Sequence, residues 1–180
     1  MVIDLSRKND HLALAQYHQD RIAVELKGNE ALLNRGYGRV EGKRIVLRTY
    51  EALYLLEKEE IEVRDGKKKL GYADLVRDLR FQRDGLSKYL IYKDLRDKGY
   101  VVKEGLDREL SLKAYEKGEY EGKPSKYLIA IMNEGERIRA KSLEGVVNEA
   151  IRQSKVPIIA VVDRRGEIIY YRGFLVANHN

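Results

Sequence analysis

The sequence has no cysteine and no tryptophan, and only two methionines, two prolines and two phenylalanines among its 180 residues. Without cysteine it can form no disulfide bond, no cysteine metal site and no thiol nucleophile. Its three histidines are His11, His18 and His179, and the one close pair, at i and i+7, has no carboxylate between its members. We therefore expect no metal and no cofactor.

Long apolar runs are missing as well. No run approaches the ~20 residues that a membrane-spanning helix needs. The N-terminus also has no apolar core of the kind found in signal peptides. These absences favour a soluble, cytoplasmic protein with no membrane association.

Charge, in contrast, is abundant. Charged residues make up 36% of the chain, and 35 lysines and arginines outnumber 29 aspartates and glutamates, for a net charge of +6. A basic balance suits an RNA partner, but it is equally typical of a surface covered with ion pairs. The high content of lysine, glutamate and arginine favours a thermophilic source.

The stretch from Leu86 to Tyr115 predicts a helix, a glycine stop and a strand. Its apolar residues recur three and four positions apart, with charged residues between them: Leu86, Tyr89, Leu90, Tyr92 and Leu95. Gly99 stands where a helix can end with a positive φ angle, and residues 100–102 form a short β-favouring run. Residues 83–85 precede this stretch as a polar break, which predicts two domains, 1–82 and 83–180.

The remaining patterns predict a mixed α/β protein. In the N-terminal domain they indicate strands over 21–26, 45–47 and 61–63, helices from Thr49 and over 72–80, a short helix around 12–15 and a loop over 32–38. In the C-terminal domain they indicate strands over 110–115, 127–132, 158–162 and 168–176, a helix over 142–151 and a turn over 163–167. The predicted fold class is therefore α/β (α+β): a small N-terminal mixed domain and a C-terminal domain of mixed sheet with helices.

Three segments resemble the archaeal tRNA-splicing endonuclease family. Residues 37–42 (YGRVEG) and 51–56 (EALYLL) are similar to its N-terminal domain. Residues 88–103 (KYLIYKDLRDKGYVVK) are similar to the helix and strand that open its C-terminal, nuclease-like domain, and residues 159–171 (IAVVDRRGEIIYY) resemble its final hairpin.

The resemblance implies a specific chemistry. Enzymes of this family cut precursor tRNA at bulge-helix-bulge intron boundaries without a metal, leaving a 2′,3′-cyclic phosphate and a 5′-hydroxyl. A tyrosine, a histidine and a lysine serve as base, acid and cation at the scissile phosphate. An arginine on the last helix grips a bulge base by cation–π stacking.

Of these positions, only the tyrosine is retained. It falls on Tyr115, whereas the histidine position is Pro124 and the arginine position is Asn148. The lysine position is Val156, and Lys155 stands one residue too early, which is enough to turn a side chain away at the start of a strand. Tyr115 is then either a remnant of the triad or an ordinary buried tyrosine.

Loss of the triad implies a structural role. The family includes heterotetramers of two plus two subunits, in which a non-catalytic subunit positions a catalytic paralogue. We expect this chain to be such a structural subunit, with precursor tRNA as the substrate of the complex. Whether the chain is itself an enzyme stays open.

Assembly in the family uses the last strand and the loop before it. The resemblance implies subunit-interface roles here for Ile168, Tyr170, Tyr171 and Phe174 on the strand, and for Asp163 and Glu167 in the loop. That loop is acidic in the family, whereas here it also carries Arg164 and Arg165. An ordinary edge strand with buried tyrosines is the alternative.

Two other functions stay open. The chain is itself an active tRNA-intron lyase if Tyr115 supports the cut together with Lys155, or with Lys123 or Lys126 from the loop. It is a stand-alone RNA-binding module if the basic run at residues 67–69 contacts phosphates, although such a run is also typical of a solvated loop. The pattern assigns no RNA-contacting residue.

Overall fold

A computed structural model describes residues 12–18, 21–105, 112–137 and 140–174. The chain divides into two compact units, Met1–Arg83 and Asp84–Asn180. Within the described residues the two units contain two mixed sheets and five helices, which confirms the α/β fold class. No helix among these residues has the length and apolarity to cross a membrane.

The N-terminal unit is built on a six-stranded sheet. Its elements in chain order are β1 (Ala13–His18), β2 (Arg21–Glu25), α1 (Glu30–Asn34), β3 (Arg39–Glu41), β4 (Arg44–Leu47), α2 (Thr49–Glu57), β5 (Ile61–Asp65), β6 (Lys68–Leu70) and α3 (Tyr72–Phe81). The strand order is β3-β4-β2-β1-β5-β6. Only the pair β1 and β5 is parallel.

Two predictions for this unit are wrong. Residues 13–18 form strand β1 rather than a short helix, because Ala13 and Ala15 enter the core while Leu14 faces outward, the alternation of a strand. Residues 32–34, the start of the predicted loop, belong instead to the short helix α1. Within the basic run, Lys67 lies in the turn between β5 and β6, and Lys68 and Lys69 belong to strand β6.

A buried carboxylate explains why the two N-terminal motifs occur together. Glu51, in α2, accepts hydrogen bonds from the backbone N–H of Gly38 (3.1 Å) and of Arg48 (2.8 Å). Gly38 has a φ of +61°, and a Cβ there would lie 2.6 Å from the Ile45 side chain. Tyr37 beside it is buried and stacks on Tyr54 of α2, with ring centroids 6.4 Å apart. The motifs are therefore two halves of one packing arrangement.

The C-terminal unit is built on a five-stranded sheet. Its elements are α4 (Gly85–Asp97), β7 (Val101–Glu104), β8 (Leu112–Tyr115), β9 (Tyr127–Asn133), α5 (Ala140–Arg152), β10 (Val156–Val162) and β11 (Ile168–Arg172). The strand order is β11-β10-β9-β8-β7, and only the pair β9 and β10 is parallel. The helix predicted from the central stretch is confirmed as α4, with Gly99 at a φ of +88° beyond its end.

The two helices contact opposite faces of this sheet. Leu128 and Ala130 of β9 pack with Val146 and Ala150 of α5. Helix α4 packs against β7 and β9. Because side chains alternate along a strand, Tyr127 and Ile129 lie on the other face of β9 from α5.

The last strand is shorter than predicted. Strand β11 ends at Arg172, and Gly173 lies so close to α5 that a Cβ would be 2.7 Å from Val147 Cγ2. Residues 175 and 176, and residues 110 and 111 of the strand predicted before Tyr115, lie outside the described residues.

Candidate functional site

Tyr115 is the last residue of β8 and lies at one end of the C-terminal sheet. Its ring meets the ring of Tyr120 edge to face, with centroids 4.9 Å apart. Burial raises the pKa of the Tyr115 phenol above its ordinary value of 10. The phenol is therefore protonated at neutral pH, so it can donate a hydrogen bond more readily than it can accept a proton.

Pro124 and Ser125 precede β9 at the same end of the sheet. Pro124 is exposed and has no group that can exchange a proton, whereas Ser125 is buried. The backbone of Lys126 links both neighbouring strands: its N–H donates to the Ala114 carbonyl (3.0 Å) and its carbonyl accepts from Val156 (2.9 Å). Because adjacent strands lie about 4.8 Å apart, the ends of β8 and β10 are separated by roughly 10 Å.

Lys155 reaches across to Ser125. Its Nζ donates to the Ser125 carbonyl (2.6 Å) and to Ser125 Oγ (2.8 Å). Burial lowers the pKa of Lys155, and the positive charge of Lys113 lowers it further. This ammonium is thus partly desolvated and lies beside the residue that follows Pro124.

The sheet register changes how the position of Lys155, one residue before the family's lysine position, is interpreted. Val156 pairs with Tyr127, and Tyr127 pairs with Ala114, so these three residues share one face. Because side chains alternate along a strand, Tyr115, which follows Ala114, lies on the opposite face of the sheet. Lys155, which precedes Val156, lies on that opposite face too. In this fold Lys155, rather than position 156, is on the side of Tyr115.

The other candidate groups near this end have partners or lie elsewhere. Lys123 pairs with Glu119 (2.5 Å), and Lys126 pairs with Glu116. Asn148, at the position of the family's arginine, is exposed on α5. The structure therefore places Tyr115 at the same end of the sheet as the bonded pair Ser125 and Lys155, and the described residues of the C-terminal unit include no histidine.

The basic run in the N-terminal unit is largely neutralised. Lys69 pairs with Glu62 (2.7 Å), and Lys68 lies 3.8 Å from Asp74. Both carboxylates have a lowered pKa, Glu62 chiefly because Lys69 and Arg64 donate to it and Asp74 chiefly because the backbone N–H of Gly71 does. This pairing favours a solvated, salt-bridged surface over a phosphate site.

Strand β11 forms an edge of the C-terminal sheet and exposes one apolar face. It pairs with β10 alone in the strand order. Ile169 is 54% exposed, Tyr171 52% and, just beyond the strand, Phe174 76%. Ile169 was not among the predicted interface residues, although the alternation of Ile169 with Tyr171 is the signal that identifies it.

Tyr170 faces the other way and is held inside its own unit. Its hydroxyl donates to Asp94 Oδ2 (2.7 Å), and the ammonium of Lys98 lies 5.3 Å from its ring centroid. Burial and the neighbouring Asp94 carboxylate raise the pKa of Tyr170 strongly. Ile168, on the same face, is half-buried.

The turn between β10 and β11 is closed by Asp163. Its Oδ1 accepts from the backbone N–H of Arg165 and of Glu167, both at 2.8 Å. Gly166 completes the turn with a φ of +84°. The Asp163 carboxylate is engaged within the turn, whereas the Glu167 side chain is 68% exposed and lies 3.6 Å from Arg165.

Comparison with known proteins identifies both units. Residues 14–76 match the family model described as tRNA intron endonuclease, N-terminal domain, and residues 86–170 match the one described as tRNA intron endonuclease, catalytic C-terminal domain.

Curated relatives match along most of their length, and each is a tRNA-splicing endonuclease. The chain is 37% identical to that of Pyrococcus furiosus over 145 residues, covering 80% of this chain and 84% of the relative. It is 38% identical to that of Thermococcus kodakarensis over 157 residues, covering 85% and 92%. It is 32% identical to that of Methanococcus vannielii over 165 residues, covering 89% and 93%.

Proposed function

Because the chain belongs to the tRNA-splicing endonuclease (tRNA intron endonuclease) family, we propose that it is a structural, non-catalytic subunit of such an enzyme. It assembles with a catalytic paralogous subunit in a heterotetramer of two plus two. The complex cuts precursor tRNA at bulge-helix-bulge boundaries and leaves 2′,3′-cyclic phosphate and 5′-hydroxyl ends. We place it in the cytoplasm, where it acts with archaeal precursor tRNA.

One observation carries this proposal. At the end of the sheet where Tyr115 lies, the position of the family's histidine is Pro124, and the adjacent Ser125 is buried against Lys155. Pro124 has no group that can give a proton to the leaving 5′-oxygen, and the described residues of the C-terminal unit include no histidine. Loss of a general acid costs about 10²–10⁴-fold in rate, so we assign the cut to another subunit.

The edge strand supports the assembly part of the proposal. A strand with one open edge and an apolar face of Ile169, Tyr171 and Phe174 suits pairing with a second chain. Tyr171 and Phe174 supply aromatic side chains of the kind that dominate interface energetics. Asp163 shapes the turn, and Glu167 presents the exposed charge to a partner.

The deciding experiment is cleavage of a bulge-helix-bulge RNA in EDTA. The chain is assayed alone, a triad-bearing paralogue from the same genome is assayed alone, and the two are then mixed. We expect no cutting by this chain and cutting by the mixture, with both chains eluting in one complex. Cutting by the purified chain alone would rule out the structural role.

A second candidate is an active tRNA-intron lyase, and the position of Lys155 favours it. The ammonium lies on the side of Tyr115 and has a lowered pKa. If this chain cuts alone, Lys155→Met and Tyr115→Phe should each abolish the activity. If neither does so, the catalytic groups lie elsewhere and this candidate fails.

A further inference from the structure

A cavity of about 250 Å³ lies within the C-terminal unit, on the sheet face opposite Tyr115. Four of its lining residues are apolar side chains: Leu95, Ala114, Ile129 and Ile158. Liquid water occupies ~30 Å³ per molecule, so the cavity has the volume of about eight waters. That is room for one flat ring system.

Three tyrosines complete the lining, and each carries a lysine. Lys117 lies 5.1 Å from the ring centroid of Tyr100, and Lys126 lies 5.5 Å from that of Tyr127. Lys98, itself in the lining, lies 5.3 Å from the ring of Tyr170. The rings of Tyr100 and Tyr127 also meet edge to face at 6.1 Å. Each aromatic wall therefore has a lysine ammonium near its ring.

The walls are held in place by hydrogen bonds. Asp94 Oδ2 accepts from the Tyr170 hydroxyl and from Lys98 Nζ, both at 2.7 Å. Glu116 accepts from the Tyr127 hydroxyl at 3.3 Å and pairs with Lys126. Glu116 also interacts with the charge of Lys117. Three lysines around two carboxylates therefore leave one surplus positive charge. A cavity that is shaped in advance loses less entropy when a ligand enters.

Aromatic rings interleaved with lysines are the means by which proteins bind single nucleotides of an RNA strand, through base stacking and phosphate attraction. We propose that this cavity binds one nucleotide unit, with the base against the tyrosines and the phosphate near Lys117. The inference goes beyond the structural role, because it gives this chain a nucleotide contact of its own, independent of any catalytic subunit.

Two probes test the site on the full chain without a partner. One is adenosine 5′-monophosphate, and the other is an eight-nucleotide single-stranded RNA with one 2-aminopurine, whose emission falls when the base stacks. Binding of the RNA alone would identify a strand as the source of the nucleotide, and binding of the monophosphate as well would identify a free nucleotide. Either result supports recognition of a nucleotide by the tyrosines and lysines of the cavity.

Variants distinguish binding in the cavity from nonspecific electrostatic attraction of RNA to the basic surface. Ala114→Leu fills the space and Tyr100→Leu removes a wall, and each should lower affinity about 5- to 150-fold, the range of base–aromatic stacking. Lys117→Gln should reduce the salt slope of RNA binding by about 0.7. Tyr72→Leu and Lys27→Gln, at exposed positions in the N-terminal unit, are the matched controls and should change neither property.

Three binding results would overturn the proposal, and a fourth comes from assembly. The three are an absence of binding by the unmodified chain, 2-aminopurine emission that stays unchanged on binding, and undiminished affinity in both cavity variants. If the cavity variants instead bind RNA normally but no longer associate with the catalytic subunit, the cavity accepts a side chain of that partner. The nucleotide proposal is then wrong. None of these outcomes depends on the cleavage assay.

Discussion

At the scale of single residues, Glu51 shows how a charged group becomes part of a core. The residue is only 3% exposed. Its carboxylate accepts hydrogen bonds from the backbone N–H groups of Gly38 and Arg48, which lie outside the helices and strands. A buried carboxylate is costly unless it is hydrogen-bonded. Glu51 meets that condition, and its two hydrogen bonds connect the loop at Gly38 to the start of α2.

We therefore expect Glu51→Ala to destabilise the N-terminal unit by about 2–3 kcal/mol, because two buried donors lose their acceptor. Urea unfolding followed by a probe in this unit measures the change. Glu144→Ala, at an exposed position of α5, is the control and should shift the midpoint very little. A Glu51→Ala chain as stable as the control would show that the carboxylate contributes nothing net.

Asp163 gives a pH dependence whose sign can be derived. Its pKa is lowered chiefly by the backbone N–H of Glu167, with Arg165 also contributing. A carboxyl with a lowered folded-state pKa contributes stability that is present above its unfolded value of about 3.9 and is lost as pH falls through the lower folded value.

The measurement is amide hydrogen exchange at Arg165 and Glu167 as a function of pH. After correction for intrinsic exchange, we expect protection to disappear with a midpoint below the ordinary aspartate value. Asp163→Asn keeps an acceptor oxygen and should remove this pH dependence. A midpoint at or above the ordinary value would show that the turn does not stabilise the charged carboxylate.

At the scale of elements, β11 has two faces with different tasks. Ile169 and Tyr171 are exposed, whereas Tyr170 is bonded to Asp94 of α4. We expect Ile169→Lys to prevent association with the catalytic paralogue and to leave the fold intact, since the side chain already faces solvent. Size-exclusion chromatography with light scattering measures this. Leu14→Lys, on the exposed face of β1, is the control, and unimpaired assembly of Ile169→Lys would remove β11 from the interface.

Tyr170→Phe tests the opposite face. The change removes a hydrogen bond to a charged carboxylate, so it should cost the C-terminal unit about 1.5–3 kcal/mol. Assembly should be unchanged, because the hydroxyl points at α4 rather than outward. Thermal unfolding and the same chromatography give the two readouts. A loss of assembly without a loss of stability would restore Tyr170 as an interface anchor.

The elements differ in how well their sequence reveals them. Helix α4 is recognisable because three- and four-residue spacing and Gly99 indicate the same structure. Strand β1 is not, because alternate alanines carry a weak hydrophobic signal. Ala13 and Ala15 reach the core only through pairing with β2 and with β5, which lies over forty residues further on.

At the scale of the whole molecule, the family was accessible from the sequence, but the geometry of the candidate site was not. An ungapped count puts Lys155 one residue out of place. The sheet register puts it on the side of Tyr115, because alternation begins from the pairing of Val156 with Tyr127. The face on which Lys155 lies is decided by pairing between strands that are distant in the sequence, and no local sequence pattern reveals that pairing.

This register makes a prediction about the assembled enzyme. If Lys155 already serves as the cation, the histidine is the one member of the catalytic triad that is missing, and Pro124→His should raise cleavage by this chain about 10²–10⁴-fold. The assay uses a heterotetramer whose catalytic paralogue carries an inactivating substitution of its own triad. Val156→Lys is the matched control and should give no gain, because position 156 lies on the face of Ala114. A gain that requires Val156→Lys would show that the family's spacing, and not the register of this sheet, determines where the lysine must stand.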